Sequence, residues 1–521
     1  MVNVVAETQS SQTNVLDFLA LPEAYAEQPA TIERIDTHAS IVFLAGSFAY
    51  KVKRAVRYNF LDFSTLAKRE SACRNELRIN KRTAPQLYLE VVPITVGADG
   101  GFAIGGAGTV VEWLLRMRRF EQAMLYDRMA AEGRLDISAM PALAREIAAL
   151  HASADRRLTP EQAVLPLLGV LDDNDLVLAA AADLIASEEM RALAKSSRDA
   201  LAALAPLLEA RARGGYVRHC HGDLHLRNIV EIDGKPVLFD AIEFDDSLAT
   251  IDVLYDLAFL LMDLGKRGLG AHAGAVLNCY LDDEGSTANL LGLAALPLFL
   301  SMRATIRAKV ELLRAGKAVN DAAEGARQEA CAYVELARGF LAPAHPPRLI
   351  AIGGLSGSGK SAVARAIAPS IGAFPGAVHV RSDVERKRLF GVTPEEKLPD
   401  QAYAAAVSDE VYAICRKRAR LALRAGRTVI VDAVHARPDE RAAVAAVAAE
   451  AGVPFTGLWL DAPREVMRAR IAARRGDASD ATPSVVDEQL GYDIGAQSFA
   501  VIDAGAPLER VAERARQSIG G

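Results

Sequence analysis

Residues 348–367 read "RLIAIGGLSGSGKSAVARAI": a short apolar run, a glycine loop ending in lysine and serine, and an amphipathic segment, with nothing between them. That order leaves few folds open. The run is too short for a helix and reads as a buried strand, and the segment after it has helical spacing. The loop satisfies G-x-x-x-x-G-K-[ST] from Gly354 to Ser361, in the strand-to-helix setting that gives the pattern its meaning. Glycines let backbone N–H groups turn inward and cradle phosphate, a lysine neutralises its oxygens, and a serine hydroxyl at a helix N-terminus offers a ligand to Mg²⁺. The expected nucleotide cradle is therefore Gly354, Ser356, Gly357, Ser358, Gly359, Lys360 and Ser361, with Lys360 also acting on the reacting phosphate and Ser361 also a metal ligand.

After this loop, apolar runs alternate with amphipathic ones: "AVHVRSD", "RTVIVDA", "FTGLWLDA" and "FAVIDAG". The rhythm predicts βαβ units around a parallel sheet, a P-loop NTPase domain. Asp383, Asp432, Asp461 and Asp503 fall at the carboxyl ends of the strands, the edge where such sheets bind ligands. Asp432 is the expected metal carboxylate, and Asp383 is placed to orient an acceptor hydroxyl as a catalytic residue. In "REVMRARIAARRGDASDA", Arg470 and Arg474 stand four apart, which predicts one helical face closing over phosphate as a lid.

A chain of 521 residues with 51% hydrophobic residues can bury more than one core. Upstream of the Pro-rich connector "APAHPP" at 342–347, the chain divides again. "TIERIDTHA", "SIVFLAG", "SFAYKVKRA", "LYLEVVPITV" and "GTVVEWLLRM" read as strands, interrupted by one helix at 64–82; after Phe120 helical spacing takes over, as at Met140, Leu143, Ile147 and Leu150. The expected domains are 1–342, with a β-rich lobe at about 30–120 and an α-rich lobe at about 121–342, then a linker at 343–347, then 348–521. The fold class is α/β and α+β in two domains.

Inside the helical lobe, "HGDLHLRN" (His221–Asn228) leads into "NIVEIDGKPVLFD", two apolar runs around Asp233-Gly234, a strong hairpin signal. The first string matches H-R-D-L-x-x-x-N except that Gly222 replaces arginine. Asp223 is then positioned to accept a proton from an attacking hydroxyl, Asn228 to offer an amide oxygen to Mg²⁺, and Asp240, returned by the hairpin, to serve as a second metal ligand. Upstream, Lys51 is expected on the nucleotide phosphates with Glu76 orienting it. Lys53 shares a strand face with Lys51, and Glu70 lies one to two turns from Glu76, so both remain open as alternatives. "LLRMRRF" is expected to form a hinge that receives adenine. His219, His221 and His225 lack a zinc-ligand pattern, and His221 reads as a support for the loop.

On these residues the stretch from about 30 to 340 resembles the aminoglycoside phosphotransferase and choline kinase-like family, of which Gly222 after His221 is characteristic and "DVLYDLAFL" after Asp252 looks like the usual helix. Residues 348–521 resemble P-loop small-molecule kinases such as the gluconate and adenylylsulfate kinases. The whole chain is similar to bacterial fused proteins that join the two. The first resemblance implies a bilobal protein-kinase-like fold, and only "AIEFDDSLATI" separates Asp240 from Asp252, too little for a segment that docks a peptide.

The expected function is ATP- and Mg²⁺-dependent phosphate transfer to a small hydroxylated metabolite, by one or both parts. The alternatives are a single kinase gated by the P-loop part, and a nucleotide-sensing module without an acceptor. A net charge of −6 and the lack of a basic and aromatic track disfavour nucleic acid. Five scattered cysteines without a C-x-x-C pair, and a start without a basic or apolar leader, point to the reducing cytoplasm. "ANLLGLAALPLFLSM" is too short to span a bilayer and reads as a buried helix. The oligomeric state has no signature.

Overall fold

The computed structural model describes residues 12–37, 39–58, 61–157, 159, 161–179, 187–316, 321–342, 346–474 and 476–520. The β-rich start is a six-stranded sheet in the spatial order Ile32–Asp36, Ser40–Ala45, Phe48–Lys53, Thr109–Arg118, Tyr88–Val96, Phe102–Ile104. Every neighbouring pair in it is antiparallel. Period-two alternation divides its side chains. Ile41, Phe43, Tyr50, Val52 and Leu114 pack with Val15 and Leu19 of the helix at 12–19, while Leu44, Ala49, Leu115 and Met117 pack with Tyr88, Val230 and Val237. Most of "LLRMRRF" is thus strand, and only Arg119 and Phe120 follow it.

The helix Leu66–Asn80 starts where Thr65 accepts a hydrogen bond from the N–H of Lys68 at 3.3 Å. It buries Arg69, Ala72, Cys73, Glu76, Ile79 and Asn80, a stripe at helical spacing. Two of these are charged, and each has a counter-ion: Arg69 meets Glu112 at 2.8 Å, and Glu76 meets two lysines.

The chain forms two compact units, one of residues 1–158 and 215–256, the other of 159–214 and 257–521. In the first, strands Arg156–Arg157, Val217–His219 and Thr250–Asp252 make a small sheet, and the hairpin Ile229–Ile232 and Lys235–Leu238 lies in the chain between the last two of them. Asp233 and Gly234 both take positive φ (51° and 71°), as a two-residue hairpin turn requires.

The second unit holds long helices, among them Glu161–Ala179, Ser187–Arg213, Gly270–Glu284, Leu296–Ala315 and Asp321–Leu341, and a five-stranded sheet. Thr287–Ala315 is long and apolar enough to cross a membrane, yet 78% of its most apolar window is buried inside the fold, as a core helix would be. The sheet runs Val378–Arg381, Val429–Asp432, Leu349–Gly353, Phe455–Asp461, Ala500–Asp503, all parallel, with Val378–Arg381 at one edge. The architecture is therefore an antiparallel sheet with a helical part, followed by a parallel-sheet P-loop part. Of the connector, 343–345 lie outside the described residues.

Candidate active sites

The first site begins with two lysines two apart on the strand Phe48–Lys53, which therefore point the same way. Lys51 Nζ lies 2.7 Å from Glu76 Oε1 and 2.7 Å from Asp240 Oδ1. Lys53 Nζ lies 2.5 Å from Glu76 Oε2 and also pairs with Glu243. Burial opposes the charge on Lys51, but Asp240 and then Glu76 outweigh it, holding its pKa well above the ordinary value. Burial would likewise raise Glu76, yet Lys51 and Lys53 pull it down to about 2. Glu243, with burial as the larger influence, is shifted up. Glu70 is elsewhere, 2.9 Å from Arg74.

The loop His221–Asn228 is held from below by one buried carboxylate. Asp256 Oδ2 accepts the N–H of His221 at 3.1 Å and meets His151 Nε2 at 3.0 Å, and its Oδ1 accepts the N–H of Gly222 at 2.8 Å. Gly222 has φ +83°, and a Cβ there would lie 2.9 Å from Ile242 Cδ1, so this backbone tolerates glycine and resists arginine. The turn brings out Asp223, whose side chain is 38% exposed. Asn228 Nδ2 donates to Asp223 Oδ2 and to the Asp223 carbonyl, both at 2.9 Å, and His225 Nε2 is 3.3 Å from Asp223 Oδ2. The hairpin then delivers Asp240, at φ 59°, with its N–H donating to Tyr88 Oη at 3.0 Å.

The histidines have protein partners. His221 Nε2 faces the Phe239 carbonyl at 3.0 Å, and His219 sits between Arg82 at 3.0 Å and Asp246 at 3.3 Å. Among the described residues the one tight group of potential metal-ligating side chains is His151, Cys220 and Asp256, and Asp256 there already takes two backbone N–H groups.

The second site lies at the carboxyl edge of the parallel sheet, where a cavity of about 320 Å³ is lined by Ser356–Ser361, Asp383, Asp432, Arg470 and Arg474. Gly354, Gly357 and Gly359 take φ of 138°, 83° and 97°, and a Cβ at Gly357 would lie 2.5 Å from the Met467 carbonyl. Lys360 begins the helix Lys360–Ile367 and donates to the carbonyls of Gly354 at 2.8 Å and Leu355 at 3.1 Å; burial lowers its pKa. Ser361 Oγ donates to Asp432 Oδ2 at 2.5 Å. Burial would raise Asp432, but His379, Lys360 and Arg381 overcome it and the carboxyl is held well below the carboxylate range. Burial wins at Asp383, which is raised. The N–H of Ser356 donates to Gln489 Oε1 at 2.7 Å.

Asp461 and Asp503, the other strand-end aspartates, are not in the cavity wall. The two arginines of the lid expectation sit at the end of one helix. The helix is Arg464–Ala473, and Arg474 is its C-cap, with a helical φ of −64° and an extended ψ of 139°, so both arginines still face the cavity wall, Arg474 from the last position before the chain leaves the helix. Arg470 Nη1 donates to the Ser358 carbonyl at 3.1 Å, and Arg474 Nη1 to the Ser479 carbonyl at 3.4 Å.

Both sites offer hard oxygen donors, as Mg²⁺ requires: Asn228 and Asp240 in the first, Ser361 and Asp432 in the second. Gly357, packed so close to the Met467 backbone that no Cβ fits, keeps the loop in place, and the cavity that Ser356–Ser361 line fits a polyphosphate approaching backbone N–H groups.

Residues 55–290 match the phosphotransferase enzyme family and residues 349–492 match an AAA domain. An uncharacterized protein of Mycobacterium bovis and one of Mycobacterium tuberculosis are each 31% identical over 489 residues, covering 91% of this chain and 93% of their own. The chain belongs to their family. Its phosphotransferase-family part is similar to a choline/ethanolamine kinase family protein of Mesorhizobium loti (14% identity, 63% of this chain, 99% of that one, TM-score 0.36). Its AAA part is similar to a sugar kinase of Janibacter (22%, 34% and 95%, TM-score 0.25) and to the Mycobacterium tuberculosis APS kinase in complex with AMPPNP and APS (22%, 34% and 99%, TM-score 0.26).

Sequence reasoning left five supporting residues unassigned: Lys53, Glu243, Tyr88, Asp256 and Gln489. Only Lys53 carried a local signal, its shared strand face with Lys51.

Proposed function

We propose that the chain is an ATP- and Mg²⁺-dependent phosphotransferase acting on a hydroxyl group of a small-molecule metabolite in the cytoplasm. The observation that supports this most is Asp223, a half-exposed carboxylate oriented by Asn228 and His225. Nearby in the same compact unit, Asp240 is tied to Lys51, and Lys51 to Glu76. In this reading Lys51 releases Asp240 to take the nucleotide phosphates, and Glu76 keeps its ammonium aimed. Asp223 accepts the acceptor's hydroxyl proton while that oxygen bonds to the γ-phosphorus and the bond to the β-bridging oxygen breaks, giving a phosphate ester and ADP. Bound at Asn228 and Asp240, Mg²⁺ would supply neutralisation of phosphate charge.

The P-loop part is read as a second kinase site joined through the 343–347 connector. Lys360 would swing from its carbonyls to the phosphates, Ser361 and Asp432 would hold the metal, and Asp383 would orient the acceptor. Its raised pKa suits a group that takes up a proton late in the reaction. The cavity wall also carries Arg365, Arg381, Arg470 and Arg474, which suits an acceptor already bearing an anionic group and favours one further reading, that the first product is the second substrate.

The test is ADP release across a metabolite library, comparing Lys360→Ala with Lys360→Ala/Asp223→Ala. An acceptor that stimulates the first variant and not the second supports the assignment. Equal stimulation of both overturns it.

A further inference from the structure

The edge strand of the parallel sheet, Val378–Arg381, turns one row of backbone groups away from its neighbour Val429–Asp432. Such outward groups are normally left to water or covered. Here a single side-chain amide takes two of them. Asn278 Oδ1 accepts the N–H of His379 at 2.7 Å, and Asn278 Nδ2 donates to the Ala377 carbonyl at 3.2 Å. Asn278 stands on the helix Gly270–Glu284, inside the segment matched to the phosphotransferase family, and its Nδ2 is also anchored to its own helix at the Gly274 carbonyl, 3.0 Å away. That helix and the parallel sheet belong to the same compact unit.

The docking is built on both sides of this amide. Carbonyls at the C-terminal end of the helix are taken by arginines from the P-loop part: Arg388 donates to Asp282 O at 2.6 Å, and Arg418 to the O of the cap residue Gly285 at 2.8 Å and to Leu281 O at 3.3 Å, which also accepts the Gly285 N–H at 3.2 Å. Approach is close enough to demand glycine. A Cβ on Gly274 would lie 2.9 Å from the Pro375 carbonyl, and one on Gly265 would lie 2.7 Å from Phe374 Cζ. Arg427 ties the 373–376 turn from behind, through the carbonyls of Ala373, Phe374 and Gly376.

The same His379 whose N–H is held by Asn278 turns its ring to the candidate metal carboxylate. His379 Nε2 lies 3.3 Å from Asp432 Oδ2, the oxygen that also accepts from Ser361. At that distance the hydrogen bond is near its limit, so a shift of a few tenths of an ångström in the edge strand decides whether it is made.

We infer that Asn278 is a positioning residue for the second site, contributed by the phosphotransferase-family segment, which sets the edge strand, and through His379 the Asp432 carboxylate. The inference rests on the reading of Asp432 as the group that holds Mg²⁺. It gives the fusion a physical consequence: one part helps to order the metal site of the other.

The test uses the full chain with the first site silenced by Lys51→Met, and measures binding of a fluorescent ATP analogue with Mg²⁺ and with EDTA. Asn278→Leu is expected to weaken Mg²⁺-dependent binding about tenfold and metal-free binding less than twofold. Asn278→Asp, which keeps the acceptor for His379 and loses the donor to Ala377, is expected to weaken it about threefold and carries the test if the leucine variant does not fold. Adding Asn278→Leu to His379→Phe should cost less than a further twofold. Equal loss with and without metal, full additivity with His379→Phe, or no loss in either Asn278 variant would overturn the inference. Asp432→Asn separates the two levels: if it leaves the Mg²⁺ dependence intact, the reading of the second site fails and the inference with it; if it abolishes that dependence while the Asn278 variants do not, the inference alone fails.

Discussion

Lys53→Met distinguishes the two lysines of the first site. Lys53 is enclosed by Glu76, 2.5 Å away, and Glu243, with the Phe63 ring 5.2 Å from its ammonium. Methionine fills the same space and leaves Glu243 buried without a cation, while Glu76 keeps Lys51. Removing one partner of a buried ion pair costs about 3–5 kcal/mol, because the remaining charge stays desolvated. Against a total stability of roughly 5–15 kcal/mol that is a large fraction. The deficit should depend on pH with a definite sign. Glu243 is already shifted up in the folded state, and losing Lys53 shifts it further. A carboxyl with a raised folded pKa contributes fully below its unfolded value and loses that contribution as pH rises through the folded value, so the deficit should be smallest in acid, where the carboxyl is protonated in both states, and grow as pH rises. Urea unfolding at several pH values measures it. Lys53→Met/Glu243→Leu should recover at least half of the loss, since apolar replacement of both partners is close to neutral. A loss below about 1 kcal/mol, a deficit independent of pH, or no recovery in the double variant would refute the reasoning. Lys51→Met, by contrast, should abolish nucleotide binding at the first site with a smaller effect on unfolding.

Gly222→Ala should cost about 1–2 kcal/mol from the left-handed backbone alone, measured by thermal unfolding, and lower turnover by displacing Asp223. Asp282, pushed up to about 7 chiefly by burial, contributes less stability as pH rises from about 4 to 7. Asp282→Asn should therefore stabilise the protein at pH 8 by on the order of 2–4 kcal/mol, with the gain vanishing below about pH 4 in unfolding titrations. Lys360→Ala should remove one of two nucleotide sites in calorimetric titration while shifting the melting temperature by only about a few degrees, since its ammonium holds two loop carbonyls and no core contact.

What could be read from the chain alone follows how local each feature is. The loop at 221–228, its hairpin to Asp240 and the glycine cradle are each contained in one short stretch, so pattern and turn chemistry were enough. The strand and helix order followed from apolar spacing in the same way. Glu76 was separable from Glu70 only by the register of their helix against the sheet. The roles of Glu243 and Asn278 depend on partners 190 and 101 positions away, which no spacing rule reaches. Asp256 sat in a segment already singled out, yet its work is to hold the backbone N–H groups of His221 and Gly222, and backbone partners leave no mark in sequence. Where the helix that carries Arg470 ends, with Arg474 as its cap, was not marked in the sequence, since neither glycine nor proline stands at that position.

The fate of the γ-phosphorus tests the central claim most directly. With Mg·ATP, the intact chain and an acceptor that stimulates ADP release, phosphorus NMR should show a phosphate-ester resonance growing as the γ-resonance of ATP declines, and Asp223→Ala/Lys360→Ala should show neither change. A γ-resonance that declines only into inorganic phosphate, or an ester that forms equally with the double variant, would contradict phosphoryl transfer by these sites.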